Sequence, residues 1–404
     1  MDPDPSNRSL ALMKKDTLLA RTGRDPSRYQ GMVNTPVFRT STVIFPDRAT
    51  YEARGGDDYK KVRYGLTGTP TTFALEEAVA RMEGGHAAVA LPSGLAAIAV
   101  ALWAFLKSGD HLLVPDSVYS PTRTFCDRRL KPNGIEIEYY DPLIGAGIGK
   151  LIRPNTRAVF CEAPGSLTFE MQDIPAIAAA AHARGASVLA DTTWGTPYFF
   201  RSFEKGVDVS IHAATKYIAG HADIVMGVIV TNEQHWLTVR RTVADFGYGV
   251  SPDDCYLALR GFRTIGVRMK QQMANALKVA RWLQSRPEVK RVIYPALEGD
   301  PGHAIWKRDF SGAASLFSFV LKPASEAQVT ALINALEIFG IGSSWGGFES
   351  LAIATHPEIL RTRTLTQWSR DEPVIRLHIG LEDPDDLIAD LDHGFAAMQK
   401  GKAI

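Results

Sequence analysis

Hydrophobic positions along the chain fall into short continuous runs separated by longer amphipathic ones. AAVAL (87–91), HLLVP (111–115), IEIEYY (135–140), RAVFCEAP (157–164), SVLAD (187–191) and VDVSIHAA (207–214) have the length of strands buried on both faces. Between them lie helical patterns. FALEEAVARMEGG stops at Gly84-Gly85, and further helices are predicted from Gly94, in SPTRTFCDRRL and in IPAIAAAAHARG. Strands alternating with helices of this size predict a parallel, helix-covered α/β sheet. Before this region the chain carries Pro, Gly and scattered charge (TPVFRTSTVIFPDRATYEARGGDDYK), which reads as an extended arm with little helix. After Gly261 the rhythm changes. A long helix is expected from Phe262 to Leu283, followed by strands in VIYP, SLFSFVL and VIRLHIG and helices in EAQVTALINALEI and DPDDLIADLDHGFAAM. The expected organisation is an arm over residues 1–65, an α/β domain over 66–261 and a smaller α+β domain over 262–404. No internal repeat or low-complexity segment interrupts it.

Composition narrows the possible partners. A chain of 404 residues exceeds one compact core. Lys plus Arg is 45 against 44 for Asp plus Glu, a net charge of +1, which gives no basis for binding nucleic acid or an anionic membrane. Cys126, Cys161 and Cys255 form no CxxC pair and no metal-ligand spacing, so a reducing, cytoplasmic setting without a structural metal is expected. The first residues lack the basic start and apolar core of a signal peptide. The uncharged stretch from Ala87 to Leu106 is long enough for a bilayer, but Pro92-Ser93-Gly94 divides it into a strand and a helix.

Several polar residues stand out in apolar settings. Asp191 ends the strand SVLAD, and Lys216 follows the strand VDVSIHAA, flanked by Ala213, Ala214, Thr215, Tyr217 and Ile218. Read locally, Asp191 is either a turn residue or a ligand-binding carboxylate. Lys216 is either a surface lysine with its stem on an apolar patch or a reactive amine. Ligands of open α/β sheets bind at the carboxyl ends of strands, where both residues are expected. An amine condenses with an aldehyde, and a carboxylate keeps a pyridine nitrogen protonated; chemistry built on an imine needs both. Ser93, Gly94 and Leu95 open a helix whose free N–H groups favour an anion such as phosphate. Arg376, inside VIRLHIG, calls for an anionic partner, either a structural carboxylate or that of a substrate. SSWGGFES (343–350) reads as a glycine-containing loop that displays Trp345.

These pieces in this order resemble the trans-sulfuration family of pyridoxal-phosphate enzymes in cysteine and methionine metabolism. The likeness extends from about Tyr64 to Phe395 and rests on EAPGSLTFE, DVSIHAATKYIAGHAD, GIGSSWGGFES and IRLHIGLEDPDDLIADLDHGF. The SWGGFES and IRLHIGLED stretches resemble the β-lyases of the family more than its γ-lyases and γ-synthases. The resemblance implies the aspartate aminotransferase-like fold (type I) and pyridoxal 5′-phosphate as cofactor. It also implies an amino-acid substrate and a homotetramer built from dimers that share active sites. Lys216 would hold the cofactor as an imine and move protons, Asp191 would pair with its pyridinium, and Tyr119 would stack on its ring and act in catalysis. Ser93, Gly94, Leu95 and Thr215 would bind its phosphate. Arg376, Ser344 and Trp345 would hold the substrate, with Tyr119 beside it. Tyr64 would reach a neighbouring subunit's phosphate and substrate. The implied activity is β-elimination of L-cystathionine. γ-Elimination or γ-replacement, or desulfuration of cysteine or another thioether, is the alternative; a non-catalytic binding protein on the same fold is the distant one. One departure is visible: the arm reads VRYGLTGTPTT, so Leu66 stands where the family's pattern has an arginine.

Overall fold

The computed structural model describes residues 13–56, 59–356, 368–369 and 371–400. Seven strands form one sheet: β1 (Ala87–Leu91), β2 (His111–Pro115), β3 (Glu136–Tyr140), β4 (Thr156–Glu162), β5 (Ser187–Asp191), β6 (Val209–His212) and β7 (Gly227–Thr231). Their order is β1-β7-β6-β5-β4-β2-β3. The pairs β6–β5, β5–β4, β4–β2 and β2–β3 are parallel, and β7 runs antiparallel to both its neighbours. Both faces of the inner strands are buried, which is why they read as unbroken apolar runs; the edge strand β3, with Glu136 and Glu138, is only partly buried. On β4, Val159 and Cys161 enter one hydrophobic cluster while Ala158 and Phe160 enter the other. On β5, Val188 and Ala190 face one way and Leu189 the other.

The helices start where their caps place them. Ser93 accepts the Ala96 N–H at 3.0 Å and opens the helix Gly94–Phe105. Asp173 caps Ile174–His182 in the same way. The helix Pro70–Glu83 ends at Gly84, whose φ is +81°. The run from Ala87 to Leu106 divides into β1 and the helix that Ser93 caps; among the described residues no helix is long and apolar enough to cross a membrane.

Four antiparallel strands form the second sheet, in the order β10-β11-β9-β8: β8 (Val289–Ile293), β9 (Leu316–Leu321), β10 (Leu351–Thr355) and β11 (Val374–His378). The core is continuous between the two sheets. Val159 and Val188 of the first share a cluster with Phe317, Phe319, Ile375 and Leu377 of the second and with Ala276, Val279 and Leu283 of the helix between them.

Several elements differ from expectation, and β7, β10 and a helix at Glu233–Asp245 stand where none was expected. The long helix spans Ile265–Gln284, and a separate helix, Pro252–Arg263, precedes it; Thr264 breaks the run and turns its hydroxyl onto the Gly261 carbonyl at 3.0 Å. The arm carries helices at Lys15–Arg21 and Arg48–Glu52, the second capped by Asp47. The strand expected in VIYP begins earlier, at Val289.

Candidate active site

The carboxyl ends of β1, β2, β4, β5 and β6 open on one cavity of about 270 Å³, closed on its far side by residues of the second sheet. Ser93, Gly94 and Leu95 follow β1; Tyr119 follows β2; Glu162 and Asp191 end β4 and β5; Thr215 and Lys216 follow β6. Ser343, Trp345 and Arg376 face them across the space.

The cavity is graded in chemistry. At one end, the first-turn N–H groups of Gly94 and Leu95 have no acceptor within their own helix and favour an anion. Gly94 itself permits this geometry: a Cβ there would lie 2.6 Å from the Ala213 Cβ. Thr215 sits alongside, but its hydroxyl is engaged with the Met226 carbonyl at 3.1 Å and the Met226 N–H at 2.9 Å. In the middle, Asp191 is buried and accepts the Thr193 N–H at 2.9 Å. Burial pushes its carboxyl up, against the pull of Thr193, His212 and Lys216. Glu162, its register partner on β4, is also buried and accepts the Tyr119 N–H at 2.8 Å. That bond fixes the start of the segment carrying the Tyr119 ring. Burial, then Asp191 and Glu162, hold the Tyr119 hydroxyl above its ordinary value, so it stays a neutral phenol.

Lys216 is half-buried. Its ammonium donates to Ser344 Oγ at 2.7 Å and lies 5.1 Å from the Trp345 ring centroid. Desolvation, and then the Arg376 charge, lower its pKa to about 8, with Asp191 pulling the other way. Arg376 is 9% exposed, and its guanidinium donates to the Ser343 carbonyl at 3.0 Å. No carboxylate among the described residues forms an ion pair with it, so the structural ion pair open at sequence level is absent there. Burial lowers its pKa to about 10, which still leaves it cationic near neutral pH. A desolvated cation facing a cavity is suited to a carboxylate ligand.

The loop carrying Ser344 and Trp345 is held from beneath by His378, two residues beyond Arg376 on β11. Its Nδ1 donates to the Glu349 carbonyl at 2.9 Å and its Nε2 accepts the Gly346 N–H at 3.0 Å. That arrangement needs a neutral imidazole, and burial lowers the pKa to about 3. Gly346, at φ +92°, lies so close that a Cβ would stand 2.8 Å from the Lys216 Cα.

Of the residues expected from sequence, the structure brings Ser93, Gly94, Leu95, Tyr119, Asp191, Thr215, Lys216, Trp345 and Arg376 into one cavity, with Ser344 bonded to Lys216. Tyr64 stands apart from it, 50% exposed on the arm. Glu162, Thr193 and His378 were not anticipated. Glu162 had a signal, because it ends its strand as Asp191 does. The amine, the buried carboxylate, the anion-accepting helix start and the tyrosine ring suit a phosphorylated aromatic aldehyde with a ring nitrogen. They therefore fit pyridoxal 5′-phosphate.

The fold and this cavity suit an α/β enzyme that uses pyridoxal 5′-phosphate. Residues 16–396 match the model of the Cys/Met metabolism PLP-dependent enzyme family, and the chain belongs to that family. A putative cystathionine β-lyase of Rhizobium johnstonii is 50% identical over 386 residues, covering 95% of this chain and 96% of the relative. The cystathionine β-lyase of Escherichia coli is 42% identical, covering 96% of this chain and all 100% of the relative. The crystal structure of metB from Corynebacterium glutamicum superposes with a TM-score of 0.87 at 31% identity, covering 96% of this chain and 99% of that one.

Proposed function

We propose that this chain cleaves the Cβ–S bond of L-cystathionine by β-elimination, releasing homocysteine, pyruvate and ammonia. The observation that carries the reading is the convergence of Lys216, Asp191 and Arg376 on one cavity; the β-lyase relatives supply the substrate. When bound, pyridoxal 5′-phosphate supplies an electron sink conjugated to the substrate's α-carbon. Gly94, Leu95 and Ser93 would hold its phosphate, with Thr215 beside them. Asp191 would pair with the ring nitrogen as a carboxylate and keep it protonated; burial works against that ionised form, and the Thr193 hydrogen bond and the His212 and Lys216 charges favour it. Tyr119 would stack on the ring.

Arg376 binds the substrate's α-carboxylate through a charge-assisted fork, which places the α-proton near Lys216. Lys216 would hold the cofactor and, as a free amine, would remove that proton. Its lowered pKa provides a neutral amine for the task close to neutral pH. Ser344 Oγ orients the amine, and Trp345 and Tyr119 exclude water. The proton held on Lys216 is then available to the departing thiolate.

The reading extends to the whole assembly. The arm over residues 1–65 reaches a second copy, and Tyr64 enters that copy's cavity; dimers of this kind pair as a homotetramer. The α/β domain over 66–261 carries the cofactor site, and 262–404 supplies Ser344, Trp345 and Arg376. Cys126, Cys161 and Cys255 are all free and buried, in keeping with a cytoplasmic setting.

The test is the keto acid released from L-cystathionine by the cofactor-loaded protein. Pyruvate with homocysteine is the expected outcome. Oxobutanoate with cysteine would establish γ-elimination instead.

A further inference from the structure

One wall of the cavity is the turn Ala163–Glu170, between β4 and the second sheet. Two of its non-glycine residues, Leu167 at φ +67° and Phe169 at φ +54°, hold the left-handed conformation. L-residues avoid it because Cβ crowds the following carbonyl, and such strain persists only where the surroundings enforce it. Here the enforcement is visible. Gly165 N–H donates to the Glu170 carbonyl and Phe169 N–H to the Gly165 carbonyl, both at 2.9 Å, and Ser166 N–H reaches the Ser117 carbonyl at 2.8 Å. The Leu167 carbonyl accepts Ser318 Oγ at 2.9 Å.

Phe169 is accounted for by packing, since its ring is 3% exposed within the main core cluster. Leu167 is not. It belongs to neither hydrophobic cluster, is half-buried, and lines the cavity. Its location is specific as well. Ser318 on β9 is the register partner of Arg376 on β11, so the bond to the Leu167 carbonyl pins this turn beside the guanidinium. The molecule therefore holds an isobutyl side chain, in a conformation that leucine resists, next to the group suited to an amino-acid carboxylate.

We propose that Leu167 is a specificity-determining residue. It gives the Cβ substituent of the substrate an apolar contact and so favours a thioether arm over a polar or very small group. This rests on the amino-acid lyase reading given above. A contact of one or two methylenes in an apolar pocket is worth on the order of ten- to two-hundredfold in kcat/KM.

The test compares L-cystathionine with β-chloro-L-alanine, which has the same α-carbon groups and a small leaving group. The unmutated protein is measured first, and inactivity on both substrates would sink the lyase reading itself. Given activity, Leu167→Asn is the informative variant. Asparagine has nearly the same size and accepts the left-handed region. The expected result is a loss of about tenfold or more in kcat/KM for L-cystathionine and under about twofold for β-chloro-L-alanine. The melting temperature of the cofactor-free variant should be unchanged or higher by a degree or two. Leu167→Gly should shift selectivity in the same direction. Equal losses on the two substrates, or no loss on L-cystathionine, overturn the proposal. A lower melting temperature with unchanged selectivity also overturns it, by assigning Leu167 to packing.

Discussion

A polar side chain in an apolar neighbourhood is costly to desolvate, and that cost made much of the site visible from sequence. Lys216, Asp191 and Arg376 each stand alone among apolar residues, and all three line the cavity. What sequence could not show was their effect on one another. Lys216 bonds to Ser344, which lies 128 residues away along the chain, and its charge is opposed by Arg376 and supported by Asp191. These couplings have definite signs. In the cofactor-free protein, the Lys216 amine should react with an acylating reagent with a midpoint near pH 8. Below the midpoint the amine is protonated and inert; above it the amine is free. Arg376→Ala removes a repelling cation and should move the midpoint up. Asp191→Asn removes an attracting anion and should move it down. Peptide mapping of the modified lysine across pH reads all three. A midpoint that ignores both substitutions would remove the electrostatic account of Lys216.

Between residue and fold lies the loop Ser343–Ser350, whose sequence announced two glycines and a tryptophan but not what they are for. The reason is physical. Periodicity reports which face of an element is buried; it carries no information on which distant backbone a loop will touch. The same limit applies to β7. Its apolar character is that of a buried strand, yet nothing in it reveals the antiparallel direction in which it enters between β6 and β1. In the loop, Gly346 combines a left-handed φ with direct apposition to the Lys216 backbone, and His378 ties it to β11. Gly346→Ala should therefore act twice. The added Cβ meets backbone atoms that cannot swing away, and the conformation itself becomes strained. A loss of about 1–3 kcal/mol in the urea unfolding of the cofactor-free protein is expected. Displacement of Ser344 from the Lys216 amine should lower kcat as well. A variant as stable and active as the parent would show that the loop is looser than its hydrogen bonds indicate.

For the whole molecule, the arm is where one chain by itself leaves most unexplained. Ile44 is 92% exposed, Val33 58% and Met32 51%, all on the same segment as Tyr64. Apolar side chains gathered on an arm whose described residues do not line its own cavity are expected at an interface between copies. If Tyr64 serves the cavity of a second copy, two defective variants should repair one another. Tyr64→Ala damages the partner's site, and Lys216→Ala damages the chain's own. In a mixed dimer both defects fall on one site, which leaves the other intact. When equal amounts are dissociated, mixed and reassembled, half the dimers are mixed, so about a quarter of all sites should recover full activity. Neither variant recovers anything when reassembled with itself. If Tyr64 acted within its own chain, every site in the mixture would carry one defect and no activity would return. The position of Leu66 makes the measurement more informative. With a leucine two residues beyond Tyr64 and no arginine there, a Tyr64 that serves a neighbouring site would carry more of the arm's contribution to it, and its loss should be correspondingly severe.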